Sequence, residues 1–367
     1  MKGKMFVVNS ETIQSTVNTQ IASIITPEFE GEQWLKTLAD IMADMLQIEI
    51  GDYIFLWETS NKAQKSRIYG VYRAISKPYY ECIDENDNAP FKIHIERAYD
   101  FVNPVDEYDV LNCPYIKNEM WTIIGKKVAG KSRGTSPLSS DEIKNLITLL
   151  IGKNPAYQFY EFDSNNIIRV SNQLRIDYTK TGIPQKPTSL ARFHPNNINY
   201  INNGNVHYEK ILETIFNQEL SDRNIHFFSQ LGINVDKVVW YSNYLPYSIE
   251  QSEMDYVVIQ SDDGICINKI FVIEFQKSKI DEDHIRRCIL YTKWINETLA
   301  IGVNIAQPIM ISYDSYDFIH GETHSAKKRC MEKLNTIIND CVKEYKTNDL
   351  QVYTYSIDDE INFKRKR

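Results

Sequence analysis

The spacing of hydrophobic positions along the chain changes several times, and the changes divide it. Met5-Phe6-Val7-Val8 is a short apolar run that ends at Asn9, the pattern of an opening β-strand. Trp34, Leu35, Leu38, Ile41, Met42 and Met45 then recur at helical spacing and predict an amphipathic helix. The turn Gly51-Asp52 leads into the strongly apolar strand Tyr53-Ile54-Phe55-Leu56-Trp57, and residues 67–75 predict another strand. Over 91–97, Phe91, Ile93 and Ile95 alternate with Lys92, His94 and Glu96, so one face is expected in the core and the other in water. Ser139 and Glu142 form a capping box before the stripe Ile143, Leu146, Ile147 and Leu150, and Gly152 is the expected stop.

Residues 1–155 therefore read as one α+β unit. Residues 156–206 read as a connector, with strand-like pieces at 157–162 and 167–170, then Pro184, Pro187 and an asparagine-rich stretch. Residues 207–367 have a clearer order. A helix is predicted over 207–220 and a strand over 238–241. Strands 256–260 and 270–275 follow, joined by Ser261-Asp262-Asp263-Gly264, then a helix over 282–299. A strand at 308–313, a helix over 325–345 and a strand at 351–355 complete an α-β-β-β-α-β succession on an α/β-type mixed sheet.

A length of 367 residues accommodates two or three domains, and 43% apolar with 25% charged residues is ordinary for a globular protein. No apolar run approaches the roughly 20 residues that span a bilayer. The short apolar start is too brief for a signal peptide, so the expectation is a cytoplasmic protein without a membrane partner. The cysteines at 82, 113, 266, 288, 330 and 341 contain no CxxC pair and no matched histidine, which argues against structural zinc and against a disulfide framework. A net charge of −8 is not that of a nucleic-acid binder taken whole, so any such surface must be local. Lys117, Lys126, Lys127, Lys131 and Arg133 face a single acid, Glu119, and the chain closes on Lys364-Arg365-Lys366-Arg367. Each run reads either as a solvated face or tail, or as a set of phosphate contacts.

The candidate chemistry sits in the second half. Asp255 opens one predicted strand, and Glu274 and Gln276 end its neighbour on the face shared with Val272. A carboxylate at the end of a buried strand needs a partner, and a cation shared with the second acid supplies one. Two acids suit Mg²⁺, which keeps most of its waters and adds phosphate oxygens. These residues and the order around them resemble the PD-(D/E)xK phosphodiesterases, and Glu274-Phe275-Gln276 with Arg286 and Tyr291 downstream is similar to the CoiA-like branch. The resemblance implies Asp255 and Glu274 as metal ligands and Gln276 at the position where lysine is usual. It also implies an additional acid on the preceding helix, Glu209 or, preferably, Glu213. The missing cation then has to come from Lys277, which alternation turns away from Glu274, or from Lys279, Arg286 or Arg287.

The first unit resembles PUA-like domains of the EVE/YTH kind in Phe6–Asn9, Gly51–Trp57, Ile68–Tyr72 and Arg133–Ser139. That resemblance implies a small β-barrel holding a modified base in an aromatic cage. Trp57, Trp121 and Tyr69 are the wall candidates, with Lys126, Lys127, Lys131 and Arg133 on phosphates. Most such aromatics are core residues, and that reading stands beside the cage. Together the halves have the layout of a restriction endonuclease. The expectation is Mg²⁺-dependent (or Mn²⁺-dependent) hydrolysis of double-stranded DNA, read for modified bases by the first unit and cut by a homodimer. The alternatives are a repair nuclease acting on branched or single-stranded DNA, and a binder whose nuclease fold has lost its chemistry.

Overall fold

The computed structural model describes residues 2–25, 31–59, 65–81, 89–99, 101, 103–114, 120–123, 134–154, 201–202, 205–243, 245–247, 252–277, 280–313, 324–357 and 360–367. The chain is α+β and divides into two compact units, 1–192 and 193–367, each with its own main sheet. The division falls within the stretch expected as a connector, most of which lies outside the described residues.

Unit one runs β1 (Gly3–Val8), α1 (Thr12–Thr19), β2 (Ile21–Ile24), α2 (Gly31–Leu46), β3 (Tyr53–Glu58), β4 (Arg67–Ala74), β5 (Tyr79–Tyr80), β6 (Phe91–Arg97), β7 (Val105–Asp106), α3 (Glu107–Asn112), β8 (Thr135–Leu138) and α4 (Ser140–Lys153). The main path of its sheet is β2-β6-β4-β3-β1-β8, with β1 parallel to β3 and antiparallel to β8. The path curls on itself. A Cβ added at Gly134, just before β8, would stand 2.6 Å from Ile24 Cγ2 at the far end of the sheet. The result is a half-barrel, since no ladder joins β2 to β8 among the described residues.

Both faces of this sheet are covered. Phe6, Ile54, Leu56 and Ile93 pack with Ile13 and Val17 of α1 and Ile41 and Met45 of α2. Met5, Phe55 and Val71 pack with Ile143, Leu146 and Leu150 of α4. On β6 the second face is covered as well, by the segment around β5, so Lys92 and His94 are buried and the one-faced expectation is corrected. Tyr79 stacks on His94 with ring centroids 5.1 Å apart, and Lys92 reaches Glu81 at 3.4 Å. The Ser139–Glu142 capping box forms as the sequence predicts. Gly152, however, lies inside α4. The helix ends instead at Asn154, whose side-chain amide donates to Leu150 O at 2.7 Å and satisfies a terminal carbonyl.

Unit two runs β9 (Ile201–Asn202), β10 (Asn205–Val206), α5 (Glu209–Ser221), α6 (Ile225–Ser229), a 3₁₀ turn at Val235–Lys237, β11 (Val238–Ser242), β12 (Leu245–Tyr247), β13 (Ser252–Met254), β14 (Tyr256–Ser261), β15 (Ile267–Gln276), α7 (Glu282–Thr298), β16 (Ala306–Tyr313), α8 (His324–Tyr345), β17 (Gln351–Ile357) and β18 (Ile361–Arg365). The sheet order is β11-β14-β15-β16-β17-β18. β14 and β15 are antiparallel, while β15, β16 and β17 are parallel and connected through α7 and α8. The basic C-terminus is therefore no loose tail. β18 pairs antiparallel with β17, and the Arg367 guanidinium donates to Asn335 Oδ1, Asn339 Oδ1 and Asp349 Oδ1 at 2.6–2.7 Å.

β15 is the central strand, and its alternation serves two helical layers. Phe275 meets Phe216 of α5 at 4.8 Å between ring centroids. On the other face Val272 packs with Tyr291 and Ile295 of α7. Glu274 and Gln276 follow Val272 onto that second face, so both are buried. Among the described residues no helix is long and apolar enough to cross a membrane.

Candidate functional site

Asp255 occupies the single-residue break between β13 and β14, opposite the end of β15. Its N–H donates to Glu274 Oε1 at 3.3 Å, and Phe275 N–H donates to Asp255 Oδ2 at 2.9 Å. Each carboxylate thus accepts a backbone donor from the other's strand. This reciprocal lock holds the two acids side by side where the ladder ends. Glu274, only 1% exposed, also accepts from Arg287 Nε on Oε2 at 3.2 Å, and Arg287 Nη2 lies at 3.2 Å from the same oxygen as an ion pair.

The electrostatics follow from this placement. Burial raises the Asp255 pKa to about 6, against the lowering effect of Lys210 and of the Phe275 N–H. Burial, and then the negative charge of Asp255, push Glu274 well above the ordinary carboxylate range, and Arg287 offsets this only in part. Tyr291 stands in the same field, hydrogen-bonded with Ser252 and packed on Tyr247 at 4.9 Å between ring centroids.

The first turn of α5 is tied to the same strand end. Lys277 N–H donates to Glu209 Oε1 at 3.2 Å, Asn205 Nδ2 donates to Lys277 O at 3.0 Å, and Lys277 Nζ turns away to His207 O at 3.4 Å. Lys277 is exposed and is not the cation of the acid pair, as the alternation of β15 requires. Glu213 is equally not an open ligand. Its carboxylate is 2% exposed and is taken up by Lys210 Nζ at 2.6 and 2.7 Å. Of the other cation candidates, Arg286 pairs with Glu282 at 2.8 Å and Lys279 lies outside the described residues. Among the described residues Arg287 is the candidate that reaches Glu274.

Two residues at this site went unnoticed in the sequence. Lys210 is one; its only sequence signal is its place three positions before Glu213 on a helix. Ser312 of β16 is the other. It stands in register with Gln276, and its buried hydroxyl has no hydrogen-bond partner among the described residues.

Among the described residues no group of three or more His, Cys, Asp or Glu side chains forms a metal cage. The donor set is instead two carboxylates on adjacent strand ends, which fits a Mg²⁺ ion that retains several waters.

In unit one the cage candidates divide. Trp57 is 5% exposed and packs with Phe55, Val71 and Ile143 under α4. Its strand-end position suggested an open ring, but α4 covers that face, so it is a core residue. Tyr69 is 4% exposed in the opposite core, and its hydroxyl donates to Glu58 Oε2 at 2.8 Å. Neither ring is an open wall. Trp121 is half-buried on a short helical turn held by Glu142, whose Oε1 accepts from Thr122 N–H at 2.6 Å. Lys126, Lys127, Lys131 and Arg133 lie outside the described residues. Accordingly, Trp57→Ala should cost about 3–5 kcal/mol of stability, as large-to-small core changes do, measured by denaturant unfolding. A cost below about 1 kcal/mol would contradict the core placement.

No protein-family model matches the chain, and no curated protein matches it. Several solved structures are similar to part of it. One is human THYN1 in complex with 5-methylcytosine-containing DNA, at 10% identity over 41% of this chain and 98% of that chain, TM-score 0.27. Another is the YTH domain of Zygosaccharomyces rouxii MRB1 with N6-methyladenosine RNA, at 16% identity over 40% and 86% respectively, TM-score 0.25. A third is a hypothetical protein from Leishmania major, at 8% identity over 42% and 97%, TM-score 0.31. At TM-scores of this size none carries an argument about ligand or activity.

Proposed function

We propose that the chain is a Mg²⁺-dependent endonuclease that hydrolyses phosphodiester bonds of double-stranded DNA at sites chosen by unit one. The observation that carries this reading is the locked Asp255–Glu274 pair at the end of a buried strand. Such a placement costs stability and is maintained where a cation is to be held. Asp255 and Glu274 would hold Mg²⁺, which when bound polarises a phosphate oxygen and lowers the pKa of an attacking water. Arg287 fixes the orientation of the Glu274 carboxylate. Gln276 offers a carbonyl and an amide beside it, suited to orienting water rather than supplying charge.

In this reading unit one selects the site by holding a flipped, modified base, with Trp121 as the stacking residue. Trp121→Ala should weaken binding to the preferred DNA by about 1–3 kcal/mol, the worth of one base–aromatic stack. Two copies acting together, one per strand, would account for double-strand cutting.

The test is cleavage of unmodified plasmid and of the same plasmid with methylated or hydroxymethylated bases, in Mg²⁺ or Mn²⁺. Discrete products from one member support the reading. Tight binding of DNA with no cleavage in either metal favours a binder lacking chemistry, for which the uncharged Gln276 is the specific support.

A pH dependence follows from the raised acids. A carboxylate whose folded pKa is raised favours the folded state while protonated and loses that contribution as pH rises through the folded pKa. The metal-free protein should therefore melt at a lower temperature at pH 8 than at pH 5.5. Mn²⁺ should raise the melting temperature more at pH 8, where Asp255 is ionised. An equal metal effect at both pH values would contradict the assignment.

A further inference from the structure

We infer that Ser312 is a positioning residue that fixes the Gln276 carboxamide beside the acid pair. The inference rests on the nuclease reading above and adds to it a residue from the neighbouring strand.

The ladder places the two side chains together. β15 and β16 run parallel, with Gln276 in register with Ser312 and Glu274 in register with Met310. Registered residues on neighbouring strands stand about 4.8 Å apart and present their side chains to the same face. Ser312 is fully buried on that face, and its hydroxyl makes no hydrogen bond among the described residues. A buried hydroxyl without a partner is costly and rare, so a partner taken up in the working state is the economical explanation.

The other neighbours do not supply one. Thr354 of β17 is in register with Ser312 from the other side, and its hydroxyl donates to Lys364 O at 3.4 Å. Along β16 the preceding residue on this face is Met310, packed in an apolar cluster with Ile280, Ile285 and Cys288. Gln276 is the polar neighbour that remains, and it too is buried. β15 lies between β16 and β14, so Ser312 is on one side of Gln276 and Asp255, at the start of β14, is on the other.

This order assigns the two ends of the carboxamide. A hydroxyl oxygen accepts, and a carboxamide has a donor end and an acceptor end. With Gln276 Nε2 donating to Ser312 Oγ, Gln276 Oε1 is turned toward the acids, where it accepts a hydrogen bond from the attacking water. That water's oxygen bonds to phosphorus as the P–O bond to the leaving sugar oxygen breaks, and its proton passes through solvent to that oxygen. Gln276 takes up no proton and contributes orientation alone.

The experiment uses the full chain as wild type, Ser312→Ala, Ser312→Thr, Gln276→Ala and the double variant Ser312→Ala with Gln276→Ala. Single-turnover cleavage of the preferred plasmid is read alongside thermal unfolding and the NMR cross-peaks of the Gln276 side-chain amide, assigned by their loss in Gln276→Ala. Ser312→Ala should lower the cleavage rate about tenfold, the worth of one hydrogen bond, with a melting temperature equal to or above that of wild type. A hydroxyl kept only for packing would not separate the two. Ser312→Thr retains the hydroxyl and should restore the rate to within about threefold. In the Gln276→Ala background, Ser312→Ala should have no further effect, because residues acting through one another are not additive. Cleavage by Ser312→Ala within about twofold of wild type would overturn the inference, as would an undiminished loss in the Gln276→Ala background. If wild type cuts no DNA, the nuclease reading fails by itself, and the NMR signal decides the pairing separately. Shifted Gln276 amide cross-peaks in Ser312→Ala support the pairing, and unchanged ones reject it.

Discussion

Glu274→Ala is expected to reduce metal-dependent cleavage by at least about a thousand-fold, or about 4 kcal/mol of transition-state stabilisation, without destabilising the fold at pH 8. The combination is the point. Most changes at a buried, hydrogen-bonded position cost stability. Glu274 is different because the folded state disfavours its ionised form, so its carboxylate is a burden to the metal-free protein. Alanine removes that burden. It leaves Arg287, whose side chain is 42% exposed and can turn to water, and one unpaired N–H at Asp255. Loss of Mn²⁺ binding and of cleavage, with a melting temperature at pH 8 equal to or above that of wild type, identifies a functional acid. A melting temperature many degrees lower would instead make Glu274 a structural residue held by Arg287.

The second large effect is on the scaffold. Phe216 is fully buried on α5, and its ring meets those of Phe227, Phe228, Tyr256, Phe275 and Phe363 at 4.8–5.9 Å between centroids. Phe216→Ala should cost about 3–5 kcal/mol in unfolding of unit two, the range for emptying a large core site. The edge-to-face geometry of these pairs favours the upper part of that range. Because this ring seats the helix that carries Lys210 and Glu213 against β15, cleavage should fall with it under conditions where the protein remains folded. Phe216→Leu, which keeps more of the volume, should lose less of both. A cost near 1 kcal/mol for Phe216→Ala would mean that the helix is seated by other contacts.

How much of the site could be read in advance depended on whether the relevant contacts are local. Asp255, Glu274 and Gln276 were legible because a hairpin and strand alternation fix their relative positions over a short span. The orientation of Lys277 away from the acids was legible for the same reason. The choice between Arg286 and Arg287 was not, because neighbours on a helix point about 100° apart and only the docking of α7 on β15 selects one. Glu213 was selected as an acid, but whether it meets a metal or a lysine depends on how α5 lies against the strand end.

Sequence by itself determined the order of helices and strands around Asp255 and Glu274 and the Ser139–Glu142 cap. Hydrophobic period, turn residues and capping act within a few positions, so they are written locally. Only the tertiary structure decided which faces are covered. It buried Trp57 and Tyr69, covered both sides of β6, closed the basic C-terminus as β18, and buried Glu213 against Lys210. Burial is a property of what packs against a residue, and its packing partner is often far away in the chain. The charge of a lysine is written in the sequence, but the carboxylate it meets is settled by the packing of a helix against a strand.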